Sequence, residues 1–147
     1  MIQKNHLYNE ANWGVLLQDV CAVVQDPSQE IAFTKHFRHE SLKNRKLRLQ
    51  EVWSIFRNGS AQIIQGHARG HYAIRKGCLN EDELYVFFGK MTSDKAWKRN
   101  KPVHVVLAKT SDGKYKFVSV YFPSLTYFEA DYKTLRPEFV GKSFVME

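Results

Sequence analysis

Cysteine is almost missing from this chain of 147 residues: Cys21 and Cys78 are the only two. They lack the spacing of a metal site, and a disulfide framework would carry more of them. Cys21 falls inside a helical apolar pattern and reads as an inert core residue. Long apolar runs are lacking as well; none approaches the roughly 20 residues that span a bilayer. The opening MIQKNHLYNE has no apolar signal core, so a cytoplasmic location without membrane association is expected. There is no Gly-x-x-x-x-Gly-Lys phosphate loop, and no Gly-x-Ser-x-Gly elbow for a serine nucleophile. Internal repeats and low-complexity linkers are also absent.

Acidic residues are scarce where basic ones are dense. Residues 1–34 carry one basic and four acidic residues, whereas residues 35–123 carry 18 basic and 7 acidic ones. The excess therefore sits in one middle segment, a balance that suits a polyanionic partner, most often nucleic acid. A solvated basic face kept for solubility is the plainer alternative. The length and the 44% hydrophobic content fit a single domain with a real core. We divide it into an N-terminal helical extension (1–34), a basic α+β core (35–123) and a C-terminal tail (124–147).

Trp13, Leu16, Leu17, Val20 and Val24 follow helical spacing over residues 9–26, with Asn9 or Asn12 as a cap and Asp26-Pro27 as the stop. Thr34 can cap a basic helix that starts at Lys35. A second amphipathic helix sets Leu49, Val52, Trp53 and Phe56 on one face and ends at Asn58-Gly59. From Ala61 the texture changes to short strands rich in Ile, Val, Phe and Tyr. The expected class is α+β, with the helices packed on one face of a twisted antiparallel sheet of about four to five strands.

The stretch VHVVLAKTSDGKYKFVSVYF, residues 103–122, organises the rest. Asp112-Gly113 between two apolar runs is a strong hairpin signal. A two-residue turn there sets Ala108 opposite Phe117, Val106 opposite Ser119 and His104 opposite Tyr121. One face then carries Val103, Val105, Leu107, Val118, Val120 and Phe122. The other gathers His104, Ser119 and Tyr121 on what would be the open side of the sheet.

Six histidines invite a metal site: His6, His36, His39, His67, His71 and His104. No helical pair of them has a carboxylate partner, so neither metal nor cofactor is expected. Histidine among arginines, lysines and hydroxyls suits RNA cleavage instead. The RNA 2′-hydroxyl is the nucleophile, histidine moves protons near neutrality, and cations stabilise the phosphorane. In QGHARGHY, Gly66 and Gly70 leave backbone amides open to phosphate around His67 and Arg69.

The segments FTKHFRHESLKNRKLRLQEVWSIFRNGS and KPVHVVLAKTSDGKYKFVSVYFP resemble a small bacterial family within the barnase–EndoU–colicin–RelE superfamily of toxin ribonucleases. The shared pattern is a helix opening Ser/Thr-x-His, an arginine before Ile or Leu, and a last strand bearing a hydroxyl and a tyrosine. It spans about two thirds of the chain, with an interval between His36 and Arg45 one residue longer than the pattern. The resemblance implies helices on one side of an antiparallel sheet, and it matches His36 to the helix-start histidine of the pattern, Arg45 to the arginine before Leu47, and Ser119 and Tyr121 to the last-strand hydroxyls.

The expectation is thus a metal-independent endoribonuclease of toxin type. His36, Arg45, Ser119, Tyr121 and His67 are its candidate catalytic residues. Lys43, Arg69, Arg75, His104, Lys98 and Arg99 are candidates for binding the RNA. An acidic antitoxin or immunity protein is the expected protein partner. The alternatives are a non-catalytic nucleic-acid-binding module, or a protein-interaction factor of a mobile element.

Overall fold

A computed structural model describes residues 9–26, 28–29, 31–70, 73–75, 78–79 and 81–140, leaving aside the side chains of residues 40, 41, 73–75 and 78–79. In chain order these form α1 (Trp13–Gln25), β1 (Ala32–Phe33), a π-helical segment (Phe37–Lys43), α2 (Leu49–Arg57), β2 (Gln62–His67), β3 (Ala73–Arg75), β4 (Cys78–Leu79), β5 (Glu83–Lys90), β6 (Pro102–Lys109) and β7 (Tyr115–Tyr121). The main sheet runs β1-β7-β6-β5-β2, with β3 and β4 as a separate ribbon. The class is α+β, as expected. One correction concerns strand direction: β1 lies parallel to β7, so the sheet is mixed.

The helices form where the apolar spacing required. Leu16, Val20 and Val24 of α1 are buried one above another. Asn12 occupies the cap position, but its side chain makes no capping bond. Thr34 does cap: its Oγ1 accepts from Phe37 N–H at 3.1 Å. The basic segment beyond it is not an ordinary α-helix. Asn44 N–H bonds to the His39 carbonyl and Leu47 N–H to the Leu42 carbonyl, each five residues back.

In the central hairpin two departures cancel. The turn is one residue longer than a two-residue loop, because Thr110 pairs with Lys114 around Ser111, Asp112 and Gly113, the last at φ 83°. Lys109 therefore lies opposite Tyr115 and Leu107 opposite Phe117. A bulge at Val118 then restores the count, leaving Val106 opposite Ser119 and His104 opposite Tyr121 as expected. Only the pairing of Ala108 with Phe117 fails. Its consequence is that Phe117, rather than Val118, faces the helices.

Phe117 becomes the hub of the helix-side core. Its ring lies 4.7 Å from Trp53, 5.8 Å from Phe37, 6.1 Å from Phe33 and 6.3 Å from Phe56. Val103, Val105, Leu107 and Val120, with Ile63 of β2 and Tyr85 and Phe87 of β5, make up the rest of the sheet's contribution. The opposite face is not open, which corrects the reading of His104, Ser119 and Tyr121 as exposed. They are 0%, 1% and 0% accessible, and Leu84, Val86, Val106, Ala108 and Tyr121 form a second apolar cluster there. Part of the cover comes from the C-terminal tail, whose Phe128 ring stands edge-on to His104 at 4.7 Å.

Helix α2 comes closest to the sheet at Gly89. A Cβ built there would lie 2.4 Å from the Ile55 Cβ. Because that atom is the stem of a branched side chain, the whole helix must retreat. Gly89→Ala should cost about 1–3 kcal/mol in denaturant unfolding. Because Ile55→Ala removes the Cγ2 and Cδ1 atoms that also crowd that position, at 2.6 and 2.9 Å, the double variant should lose less than the two separate losses sum to. Full additivity would contradict the contact.

Candidate functional site

The residues the sequence singled out do not converge on one cleft. They divide into an exposed rim and five enclosed or bracing residues, His104, Tyr121, His67, Lys98 and Arg99. The rim is built by Thr34. Its N–H donates to the Phe117 carbonyl at 3.1 Å, and its hydroxyl donates to the Val118 carbonyl at 3.0 Å. These bonds clasp the bulge of β7 and start the helical segment directly over it. As a result His36 Nε2 lies 3.2 Å from Ser119 Oγ. The imidazole is exposed, while the hydroxyl beneath it is buried.

From His36 the segment carries exposed Lys35, Arg38, His39, Lys43 and Lys46, with Arg45 half-buried. The Arg38 guanidinium sits 5.7 Å over the Phe33 ring. This is a basic ridge along the outer edge of β7, with His36 at its head. A serine hydroxyl beside an imidazole is also the geometry of a nucleophile and its base. Here the serine is enclosed, so the pair is better suited to orienting the imidazole than to attacking a substrate.

Tyr121 and His104 belong to a different arrangement. Burial pushes the His104 pKa down to about 4, against the opposing pull of its bond to Tyr132. The ring is therefore neutral at pH 7. Because a carbonyl can only accept, Nε2–H donates to the Tyr132 carbonyl at 2.6 Å, and Nδ1 accepts the Tyr121 hydroxyl at 3.2 Å. With both nitrogens committed and no exposed surface, His104 fastens the tail to the sheet. It is not placed to meet a phosphate. Tyr121 supplies the other half of that fastening and does not reach the rim.

His67 also lies inside. It ends β2, is 2% accessible, and donates Nε2–H to Gln65 Oε1 at 3.0 Å. It does not sit in an open glycine loop, which corrects its reading as a phosphate-facing group. Arg69 is exposed and lies 3.8 Å from Glu83. The side chain of Arg75 lies outside the described residues, as do His6 and His71. Arg99 braces its own loop through the Ser93 and Asp94 carbonyls.

Lys98 is the clearest correction among the expected RNA contacts. It is 4% accessible, and its ammonium donates to Glu51 Oε1 at 2.6 Å and to the Lys46 carbonyl at 2.9 Å. Burial pushes the Glu51 pKa up, but the bonds from Lys98, Ser93 and the Arg48 N–H outweigh it and hold the carboxylate at about 2. Glu51 also caps the start of α2, where an anion is favoured. The signal for this pair was legible as a Glu three residues into a helix, but nothing local pointed to Lys98, 47 positions away. His39 and Arg38 were the rim residues overlooked, and their adjacency to His36 was the available cue.

Among the described residues, no cluster of three His, Cys, Asp or Glu side chains could hold a metal ion. Among the same residues, no helix is long and apolar enough to cross a membrane. The fold and rim together define an α+β domain with a basic, imidazole-headed ridge. No family model, curated protein or solved structure matches the chain.

Two stability predictions follow from the buried groups. Unfolded His104 takes up a proton below its ordinary value near 6.5, while the folded ring resists until about 4. Stability from this group is therefore full above pH 6.5 and is lost as pH falls through that window. Between pH 7 and pH 5 the loss should be on the order of 2 kcal/mol, and His104→Phe should lack that part of the slope. Equal slopes in denaturant titrations would refute the buried neutral ring. Lys98→Met strands the Glu51 carboxylate and should cost about 3–5 kcal/mol, while Lys95→Met on the exposed part of the same loop should cost almost nothing.

Proposed function

We propose that the chain is a metal-independent endoribonuclease of toxin type whose reacting group is His36. The observation that carries this reading is the exposed His36 imidazole, held by the Ser119 hydroxyl at the head of the basic ridge. RNA brings its own nucleophile, so the protein must only move protons and steady charge. Ser119 engages Nε2, which leaves Nδ1 to exchange a proton with the substrate: from the 2′-hydroxyl as base, or to the departing 5′-oxygen as acid. Arg38, one turn or less from His36, would meet the phosphate's developing charge, and Lys43 and Arg45 further along the ridge would hold the flanking phosphates. His39, a second exposed imidazole, is the candidate for the complementary proton transfer.

The products would be a 2′,3′-cyclic phosphate and a 5′-hydroxyl. The same ridge fits an acidic antitoxin that would cover it by charge complementarity. A second reading is a non-catalytic RNA-binding module. It is favoured by the enclosure of Tyr121 and His104, which removes two groups from the expected constellation.

The two readings diverge on substitution. His36→Ala should lower the cleavage rate by about 10²–10⁴-fold while leaving RNA retention in a gel shift within about twofold of wild type. Ser119→Ala should fall between, because it frees the imidazole without removing it. A wild-type protein that retains RNA and never cuts it moves the assignment to the binding module.

A further inference from the structure

Trp97 is the one large aromatic ring of the described residues that is both exposed and surrounded by cations. It is 54% accessible. The Lys98 and Lys101 ammonium groups stand 5.2 and 5.5 Å from its ring, and Lys101 also lies 4.8 Å from the Phe122 ring. Phe122 itself packs 6.3 Å from Trp97. Lys95 and Arg99, two residues to either side of it in the chain, are exposed.

The loop that presents this ring is tightly built. Met91 and Lys101 close it through Met91 N–H to the Lys101 carbonyl, and Asn100 N–H returns to the Met91 carbonyl at 2.9 Å. Inside it, Lys98 and Arg99 N–H groups bond back to the Lys95 carbonyl. Lys98 then bolts the loop inward through Glu51 and the Lys46 carbonyl, and Arg48 pairs with Asp94. The ring is therefore pre-positioned, so a ligand meeting it loses little freedom in the protein. The bolt also places the loop against the end of the basic ridge. Phe122, the residue just past the end of β7, follows Ser119 by three residues, on the order of 10 Å.

We propose that Trp97, backed by Phe122 and Lys101, is a stacking platform for an unpaired base, so that the RNA engaged is single-stranded. This rests on the reading of the ridge as an RNA-contacting surface. A flat exposed indole accepts any base face, and the exposed Lys101 ammonium beside it would hold a neighbouring phosphate, while the buried Lys98 only fixes the loop. A duplex keeps its bases stacked on one another and offers the indole none. The ridge and platform together would take a strand running from the His36 head toward Trp97.

The test uses a 2′-O-methylated oligoadenosine of about eight nucleotides, which can bind but cannot be cleaved. Wild-type protein should bind it with quenching of tryptophan fluorescence. Trp97→Leu should lose that quenching and bind about tenfold more weakly, and Trp97→Phe should recover most of the affinity. Inorganic polyphosphate and a blunt duplex should bind wild type and Trp97→Leu equally. An unchanged unfolding midpoint shows that the variants fold. Equal affinity of wild type and Trp97→Leu for the oligonucleotide would overturn the platform, as would a protein that binds only an acidic polypeptide. Because the oligonucleotide is uncleavable, Trp97-dependent binding with intact natural RNA would keep the platform and sink the nuclease. Cleavage of RNA with no effect of Trp97→Leu would do the reverse.

Discussion

The extra residue in β7 decides what each face of this sheet is made of. Without the bulge at Val118, Phe117 would point away from the helices and the aromatic cluster around it would have no centre. With it, the Val118 carbonyl turns to Thr34, the helical segment begins over the bulge, and His36 comes to rest on Ser119. A local backbone irregularity thus sets the core and the rim at once. That coupling ties the position of the candidate reacting group to packing that the fold cannot give up.

Two buried polar fastenings hold the periphery to this frame, and they work in opposite electrostatic ways. His104 is kept neutral by burial and uses both ring nitrogens to join β6, β7 and the tail. Glu51 stays charged, because its hydrogen bonds and the attraction of the Lys98 ammonium outweigh the cost of taking the carboxylate out of water. The first closes the face of the sheet opposite the helices. The second fixes the loop that carries Trp97 against the end of the ridge. Both therefore shape where a polyanion can lie, although neither would touch it.

Much of the architecture was legible from periodicity. The spacing of Leu16, Val20 and Val24, and of Val52 and Phe56, placed two helices, and Asp112-Gly113 located the hairpin. What periodicity could not supply was the length of the turn, because the three-residue loop Ser111, Asp112 and Gly113 and a two-residue one centred on Asp112-Gly113 share the same turn residues. The matching of Ser119 with Val106 came out as expected only because the longer turn and the bulge offset each other. Site residues were less legible than the fold. Exposure depends on what crosses the sheet, and nothing in HVV or VSVY announces that Phe128 will cover it. His36 and Ser119, far apart in sequence and paired only through the family resemblance, meet in space, whereas His104, Tyr121, His67 and Lys98 were chemically suitable but are enclosed.

The proposed activity comes down to one chemical event, transfer of a proton at His36 while an RNA 2′-hydroxyl attacks its own phosphate. Its most direct test is end-group mapping of total RNA incubated with the wild-type protein in EDTA, alongside His36→Ala. Cleavage that leaves 2′,3′-cyclic phosphate and 5′-hydroxyl ends, and that disappears with His36, is the predicted result. RNA that stays intact, or is cut to leave 3′-hydroxyl ends, or is cut equally by both proteins, would contradict it.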